Sequence, residues 1–245
     1  MKRIDLNADL GEGLDDALLL PFLSSANVAC GLHAGGPAIM DRTVVLALER
    51  GVRVGAHPGY PDREHFGRTE MQLAPDELRS IVLYQLGALD ALVRARGAAL
   101  AHVKAHGALY NSAARERALA RTFAQAVREF RADITIVGLA GSVQLEEARA
   151  AGLPAAGEAF ADRRYLPDGS LMPRAKPGSV LHHPAEAAEQ ALRIVQDGFV
   201  IASDGSRLAF EAQTLCLHGD TPGADRIAGA VRQALERAGV KIAPL

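Results

Sequence analysis

The chain has 245 residues, 49% hydrophobic and 23% charged, which is enough to bury one large core. A formal net charge of -2 excludes the positive excess of a nucleic-acid-binding protein, so we expect a small-molecule ligand. Two cysteines without CxxC spacing exclude a disulfide framework and a zinc finger. Asp5 and Asp9 lie where a signal peptide would need apolar residues, and segment 17–40 is too polar to span a bilayer. We therefore predict a cytoplasmic protein without a membrane segment.

Short apolar runs alternate with longer runs of helical periodicity, a pattern typical of repeated βα units. The predicted strands are residues 3–8, 25–30, 52–57, 100–106, 134–139, 155–160 and 213–218. The predicted helices are residues 37–50, 75–96, 113–130, 141–151, 184–197 and 223–239. Residues 198–213 alternate on both sides of Asp204 and Gly205, which predicts a β-hairpin before the last strand.

The number of these units predicts an α/β fold, a (β/α) barrel of seven or eight parallel strands. No linker or shift in composition divides the chain, so residues 1–245 are predicted to form a single domain. An open, doubly wound sheet is the alternative architecture.

Polar clusters follow six of the predicted strands. They are DLNADLGEG (5–13), SANVACGLHAGGP (25–37), VGAHPGYPD (54–62), VKAHGALYN (103–111), EAFADRRY (158–165) and LCLHGDTPG (215–223). Because the C-terminal ends of barrel strands open onto one face, we expect these clusters to converge on one pocket.

Four of the eight histidines occupy equivalent places in four strand-to-loop junctions, which favours a shared function. These are His33, His57, His106 and His218. Lys104 and His106 are two residues apart at a strand end, so their side chains point to the same side. Asp5, Asn7 and Asp9 also alternate on one strand face. They could coordinate a hard cation or act as a general base, or the innermost could form a buried polar network beneath the site.

Several common motifs are missing from the sequence. It has no GxxxxGK[ST] phosphate loop, no GxGxxG that opens a helix and no GxSxG nucleophile elbow. Cys30 and Cys216 lie inside apolar strands, where buried cysteine usually acts as a small hydrophobe. The sequence therefore does not show where a nucleotide would bind.

Six motifs in the same order resemble the LamB/YcsF family along nearly the whole chain. They are DLNADLGEG, SANVACGLHAGGP, VGAHPGYPDREHFGR, VKAHGALYN, EAFADRRYLPDGSLMPR and LCLHGD. The resemblance implies a distorted barrel of the glycoside hydrolase/deacetylase type. It also implies ATP-dependent opening of the 5-oxo-L-proline lactam to L-glutamate, with Mg²⁺ accompanying ATP and with partner subunits B and C.

Such a reaction needs a base for water, cations for phosphate and an acid for the ring nitrogen. The candidate catalytic residues are Asp9, Glu12, His57, Lys104, His106 and Asp220, and the candidate substrate- or phosphate-binding residues are Asn7, His33, Arg68, Asn111, Asp162, Arg163 and His218. The carboxylates would activate water, Lys104 or the arginines would hold phosphate charge, and His57 or His106 would protonate nitrogen.

Two other functions fit the same residues. Histidines and aspartates at strand ends are suitable ligands for a divalent ion, which would give a metal-dependent hydrolase or deacetylase of a small amide or sugar. The chain could also be a non-catalytic subunit that presents the lactam to its partners. The sequence identifies no particular metal ligands.

Overall fold

Seven parallel strands form a closed barrel in the computed structural model, which describes residues 2–245. With three strands outside the barrel included, the strands in chain order are β1 (Arg3–Leu10), β2 (Ser25–Ala29), β3 (Arg53–His57), β4 (His102–Lys104), β5 (Thr135–Leu139), β6 (Ala155–Phe160), β7 (Phe199–Ile201), β8 (Arg207–Ala209), β9 (Thr214–Leu217) and β10 (Lys241–Ile242). Strands β1 to β6 follow one another around the wall, and β9 completes it.

Strand β9 closes the barrel because it pairs in parallel with β6 on one side and with β1 on the other. Asp5 lies opposite Thr214 in the closing pair. The predicted barrel is therefore confirmed, and the alternative of an open sheet is wrong. The short strand β10 adds to β1 outside this ring, and β7 and β8 form the predicted antiparallel hairpin.

Helices connect most of the strands and cover the barrel. They are α1 (Pro37–Glu49), α2 (Pro75–Ala95), α3 (Gly107–Arg115), α4 (Arg117–Phe130), α5 (Val143–Ala150), α6 (Pro184–Leu192) and α7 (Ala224–Arg237). Short 3₁₀ helices occupy Asp16–Leu18 and Leu20–Phe22, and a π-helical turn, Arg193–Asp197, extends α6. Within residues 2–245, no helix has both the length and the hydropathy needed to cross a bilayer.

The prediction of one helix over residues 113–130 was wrong, because two helices, α3 and α4, occupy this region. Gly107 adopts a φ of 55°, which lets the chain turn from the strand directly into α3. Glu116 is extended, with φ -105° and ψ 100°, and interrupts the helical hydrogen bonding. His106 therefore lies at the N-terminus of a helix rather than in an open loop.

Apolar residues lie between the barrel wall and the helices. On β1, the buried side chains of Ile4, Leu6 and Ala8 alternate with the polar side chains of Asp5 and Asn7. Complete burial of one such aliphatic side chain stabilises the fold by about 1.5–3 kcal/mol. Because alternate residues of a strand point to opposite sides, the polar residues of β1 are directed into the barrel.

Candidate active site

The lowest polar layer inside the barrel is centred on Asp5. Its carboxylate accepts hydrogen bonds from the hydroxyls of Ser24 at 2.6 Å, Ser25 at 2.7 Å and Thr214 at 2.5 Å. Burial raises the pKa of Asp5 above its ordinary value, although the three hydroxyls partly oppose this effect. Asp5 therefore belongs to a buried network beneath the site, which is one of the two roles predicted for this strand face.

A second layer joins Asn7, Asn27 and His102. The Asn7 amide donates to Glu158 Oε1 at 3.0 Å, and the Asn27 amide donates to Asn7 Oδ1 at 2.7 Å. His102 Nε2 donates to Asn27 Oδ1 at 2.6 Å, and burial lowers the pKa of this imidazole to about 3. Gly55 leaves the space for the ring, since a Cβ there would lie 2.1 Å from His102 Nε2. Asn7, a predicted binding residue, thus supports the site from below.

Lys104 connects this layer to the pocket. Its ammonium donates to Asp9 Oδ1 at 2.9 Å and lies 2.9 Å from Glu158 Oε1, and the side chain is only 2% exposed. Burial opposes the charge, but the neighbouring carboxylates raise the pKa of Lys104 well above its ordinary value. Two carboxylates therefore compensate the positive charge, which holds Asp9 in a fixed position.

Asp9, Glu12, His57 and His106 form the floor of the pocket, and we call this group the floor cluster. His57 Nε2 lies 3.2 Å from Asp9 Oδ2, and His106 Nδ1 lies 3.3 Å from Glu12 Oε1. Burial alone would raise the pKa of both carboxyls. The neighbouring side chains of His57 and Lys104 nevertheless hold the pKa of Asp9 well below its usual range, and the nearby imidazoles of His106 and His33 lower the pKa of Glu12 to about 2. Both carboxylates are therefore acceptors.

Backbone carbonyls fix the orientation of both histidine rings in the floor cluster. His57 Nδ1 donates to the Lys104 carbonyl at 2.8 Å, and His106 Nε2 donates to the Phe66 carbonyl at 2.9 Å. Phe66 has a φ of 58°, a left-handed conformation that is strained by about 1–3 kcal/mol in a residue with a bulky side chain. This strained turn points the Phe66 carbonyl at the His106 ring.

His33 stacks on His106 at the edge of the floor cluster. The two ring centroids are 3.8 Å apart and the planes differ by 4°. His33 is 1% exposed, and its Nε2 lies 3.4 Å from Glu12 Oε1. Burial lowers the pKa of His33 to about 4, so this imidazole is neutral near pH 7. The ring therefore packs behind His106 and faces the Glu12 carboxylate.

A pocket of about 410 Å³ opens above the floor cluster, within the range of about 300–1,000 Å³ that small-molecule sites occupy. Tyr110, Phe160, Leu171 and Met172 contribute apolar walls. Ten of the predicted site residues line the pocket: Asp9, Glu12, His57, Arg68, Lys104, His106, Asn111, Arg163, His218 and Asp220. Five of the six predicted clusters thus converge on the pocket, whereas residues 25–37 contribute no lining residue and His33 packs behind His106.

Asp220 joins two arginines at the mouth of the pocket. Its Oδ2 accepts from Arg68 Nη2 at 3.0 Å and from Arg174 Nη1 at 2.8 Å. Burial favours the neutral acid, but the charge of Arg174 contributes most to lowering the pKa of Asp220 below its ordinary value. The carboxylate is therefore held by cations at the rim, above the floor cluster.

Asp162 and Arg163 point apart, as predicted for adjacent residues. Asp162 lies behind the pocket wall, where it accepts from the His218 backbone N–H at 2.9 Å and faces His218 Nδ1 at 2.8 Å. Arg163 lines the pocket while its guanidinium donates to the carbonyls of Met172 at 2.6 Å and Ser179 at 3.3 Å. Asp162 thus orients a pocket histidine, and Arg163 fixes the loop that carries Met172.

Sequence reasoning missed the contributions of Phe66 and Arg174. Phe66 acts through its backbone carbonyl, which a sequence pattern does not reveal. Arg174 ends the motif EAFADRRYLPDGSLMPR, but it follows strand β6 by a long irregular segment. Its position in that motif was the one feature of the sequence that could have indicated a role for Arg174 in the site.

A profile of the LamB/YcsF family matches residues 4–245. The chain belongs to the LamB/YcsF family. This confirms the resemblance of the six motifs, and the LamB/YcsF match extends through every strand of the barrel. The chain is 51% identical over 243 residues to the A-subunit of 5-oxoprolinase from Neisseria meningitidis serogroup A, and the alignment covers 99% of each.

Solved structures support the same fold for this LamB/YcsF member. The crystal structure of the lactam utilization protein from Thermus thermophilus matches with a TM-score of 0.93 and 49% identity, covering 99% of this chain and 100% of that chain. A T48 deacetylase matches with a TM-score of 0.53 and 14% identity, covering 98% and 87%. The latter likeness shows the deacetylase-like barrel fold alone, as predicted.

Proposed function

We propose that the chain is the A-subunit of an ATP-dependent 5-oxoprolinase, which opens the lactam of 5-oxo-L-proline to L-glutamate with hydrolysis of ATP. The observation that carries this proposal is the end-to-end identity of 51% with a relative named as the A-subunit of 5-oxoprolinase. The pocket supports it, because carboxylates and histidines at the floor lie below arginines at the rim.

The chemistry explains why ATP would be needed. Hydrolysis of an unstrained five-membered lactam is unfavourable, but transfer of the γ-phosphoryl group of ATP to the lactam oxygen makes the ring carbon electrophilic. Water then adds to that carbon, the ring C–N bond breaks, and nitrogen takes a proton, which leaves γ-glutamyl phosphate. A second water releases phosphate, so that 5-oxoproline, ATP and two waters give L-glutamate, ADP and phosphate.

The floor cluster is suited to the water addition and the ring opening. Asp9 and Glu12 are ionised acceptors that could take a proton from water. His57 or His106 would deliver a proton to the departing nitrogen, since both rings lie on the pocket floor. Lys104 would position Asp9 and place positive charge beneath it, rather than contact phosphate directly.

The arginines at the rim are suited to the anionic part of the substrate. Arg68 and Arg174 already hold one carboxylate, that of Asp220. We infer that a carboxylate or phosphate of the bound molecule takes a similar position between them, because planar guanidinium groups bind such anions well. Asn111, Arg163 and His218 line the same pocket and complete its polar surface.

ATP with Mg²⁺, and subunits B and C, are parts of this proposal that lie outside the chain itself. The relatives are each named as one subunit of 5-oxoprolinase, which supports a multi-subunit enzyme. We place the reaction in the cytoplasm, where ATP is available and where Cys30 and Cys216 stay reduced. In this proposal the substrate is 5-oxoproline, and the reaction involves neither a nucleic acid nor a membrane.

Reconstitution tests the proposal directly. ATP hydrolysis that depends on 5-oxoproline, and glutamate release, are measured for candidate subunits B and C with this chain, without it, and with Asp9→Asn. We expect glutamate release with the unaltered chain, but neither in its absence nor with Asp9→Asn. Asp204→Asn, an exposed hairpin acid, is the matched control and should keep full activity. Undiminished glutamate release in the absence of this chain would overturn the proposal.

A second candidate is hydrolysis of a small amide or sugar derivative without ATP. The convergence of two histidines and two carboxylates on the pocket floor favours it, because such side chains can activate water as general bases. Glutamate or amine release from the isolated chain without ATP would support this alternative. If the chain binds the substrate and the Asp9→Asn variant supports glutamate release as well as the unaltered chain does, the chain would instead be a non-catalytic carrier.

A further inference from the structure

Two ring nitrogens in the floor cluster face each other at hydrogen-bonding distance. A backbone carbonyl can only accept, so its contact with His57 Nδ1 requires a proton on that nitrogen. The same reasoning places a proton on His106 Nε2, which contacts the Phe66 carbonyl. In the neutral rings, His57 Nε2 and His106 Nδ1 therefore both present lone pairs, although they lie only 2.9 Å apart.

Two carboxylate oxygens face the same point. Asp9 Oδ2 lies 3.2 Å from His57 Nε2, and Glu12 Oε1 lies 3.3 Å from His106 Nδ1. The Glu12 side chain is 8% exposed, and within residues 2–245 its Oε1 has no hydrogen-bond partner. Four electron-pair donors thus converge in a buried place, where a cation bound between them would relieve their repulsion.

We propose that the floor cluster is a binding site for one divalent transition-metal ion of the zinc type, with Asp9 Oδ2, Glu12 Oε1, His57 Nε2 and His106 Nδ1 as its ligands. Bonds of about 2.0–2.1 Å in a tetrahedral zinc site place neighbouring ligand atoms about 3.3–3.4 Å apart. Four of the six separations between these atoms are 2.9 Å (His57–His106), 3.2 Å (His57–Asp9), 3.3 Å (His106–Glu12) and 3.9 Å (His57–Glu12), which lie on both sides of that value.

His33 is excluded from the ligand set by the direction of its ring, although it is close to Glu12. An imidazole binds a metal in the plane of the ring, and the planes of His33 and His106 are parallel and stacked. One ion cannot lie in both planes. The His57 and His106 planes, by contrast, meet at 90°, so a single point can lie in both. His33 instead positions Glu12 and His106.

The contacts behind the ligands are those that metal sites use. Metal-binding histidines usually donate their second ring N–H to a carbonyl or carboxylate, and bound carboxylates are themselves hydrogen-bonded. Here the carbonyls of Lys104 and Phe66 hold the two rings. Asp9 Oδ1 accepts from Lys104 Nζ and from Asn27 Nδ2 at 2.9 Å each, which leaves Oδ2 directed at the cluster.

The ligand types favour zinc over magnesium or calcium. Imidazole nitrogen suits zinc and its neighbours in the first transition row, whereas Mg²⁺ and Ca²⁺ take oxygen ligands. At this position an ion could polarise the lactam carbonyl or the attacking water. Because the ion would occupy the remaining ring nitrogens of His57 and His106, the proton for the departing nitrogen would then come from water rather than from these rings. That role rests on the proposed function, but binding of the ion rests on the geometry alone.

Metal uptake by the full chain tests the inference without an activity assay. Protein treated with a chelator and dialysed is titrated with Zn²⁺, followed by calorimetry and elemental analysis, and with Co²⁺, followed by visible absorption. We expect one ion per chain. Removal of supporting groups around metal ligands weakens binding about 10–100-fold, so loss of a ligand in His106→Asn should exceed that range, whereas His33→Asn should stay within it.

Two controls keep the outcome interpretable. The double variant His182→Asn/His183→Asn removes adjacent exposed histidines and should bind as the unaltered chain does. Circular dichroism shows whether His106→Asn is folded, and Glu12→Gln, which keeps the size of the side chain, is the second ligand variant. Absence of stoichiometric uptake by the unaltered chain would refute the metal site, as would equal affinity in the folded ligand variants or loss of uptake in the double variant.

Failure of this inference and failure of the proposed function give different results. ATP-dependent glutamate release by a chain that binds no metal would refute the metal site and leave the function intact. Stoichiometric Co²⁺ uptake abolished by Glu12→Gln, in a chain that no 5-oxoprolinase reaction requires, would support the site and refute the function.

Discussion

Replacement of Lys104 by methionine should destabilise the barrel strongly. The ammonium contacts Asp9 and Glu158 at 2.9 Å each, and the Glu158 side chain is completely buried. Removal of one partner from a buried ion pair destabilises by about 3–5 kcal/mol, because the remaining charge has no compensation. For a chain of this length about 1 kcal/mol shifts the melting temperature by about 2–4 °C. The melting temperature of Lys104→Met should therefore fall by about 6–20 °C.

Thermal unfolding at pH 7, followed by circular dichroism, measures this effect. Lys176→Met, which alters an exposed lysine, is the matched control and should unfold at the temperature of the unaltered chain. Adding Glu158→Gln to Lys104→Met removes one uncompensated charge and should recover part of the loss. If Lys104→Met and Lys176→Met melted at the same temperature, Lys104 would not act as the central cation of the barrel interior.

Three further predictions concern Asp162, Gly55 and the rim residue Arg174. Asp162→Asn should destabilise by about 1.5–3 kcal/mol at pH 7 in urea unfolding, because a hydrogen-bonded charge is lost. The pKa of Asp162 in the folded chain is lowered below 3.8, so the stability difference between Asp162→Asn and the unaltered chain should persist above pH 3.8 and vanish as the pH falls through the folded pKa. A stability difference that does not change with pH would contradict this prediction. Gly55→Ala forces a Cβ onto His102 and should destabilise the fold by about 1–3 kcal/mol or more. Gly87→Ala, whose Cβ meets no atom within 4 Å, is the control and should stabilise α2 by about 0.5–1 kcal/mol. Equal melting temperatures for the two variants would disprove the close contact at Gly55. Arg174→Ala should raise the KM for 5-oxoproline about tenfold with little change in melting temperature, and an unchanged KM would argue against the rim arginines as anion ligands.

The barrel could be predicted because its signals are local and repeated. Alternation of polar and apolar residues located the strands, and apolar residues at helical spacing located most helices. The break at Glu116 could not be predicted in this way, because the helical pattern continues across it and one extended residue produces it. The number of units favoured a closed barrel, but the same pattern also fits an open sheet, and the pairing of β9 with β1 decides between them.

The site was predictable at the level of which residues meet, but not at the level of what each one does. Strand ends brought His57, His106 and Asp9 together as expected. The sequence did not show that Lys104 would be compensated by two carboxylates, or that Asp220 would lie between two arginines. Those contacts join residues far apart in the chain, so they depend on the closed barrel and on irregular loops.

The closing strand also determines when the barrel can form during synthesis. Asp5 and Thr214, which pair across the closure, are 209 residues apart. At about 5–20 residues per second, a ribosome takes about 10–40 s to add that length of chain. Throughout this interval the outer edge of β1 has no strand partner from β9, and unpaired edges are sites of aggregation. We therefore expect nascent chains that stop before β9 to depend on chaperones, however well their completed strands are formed.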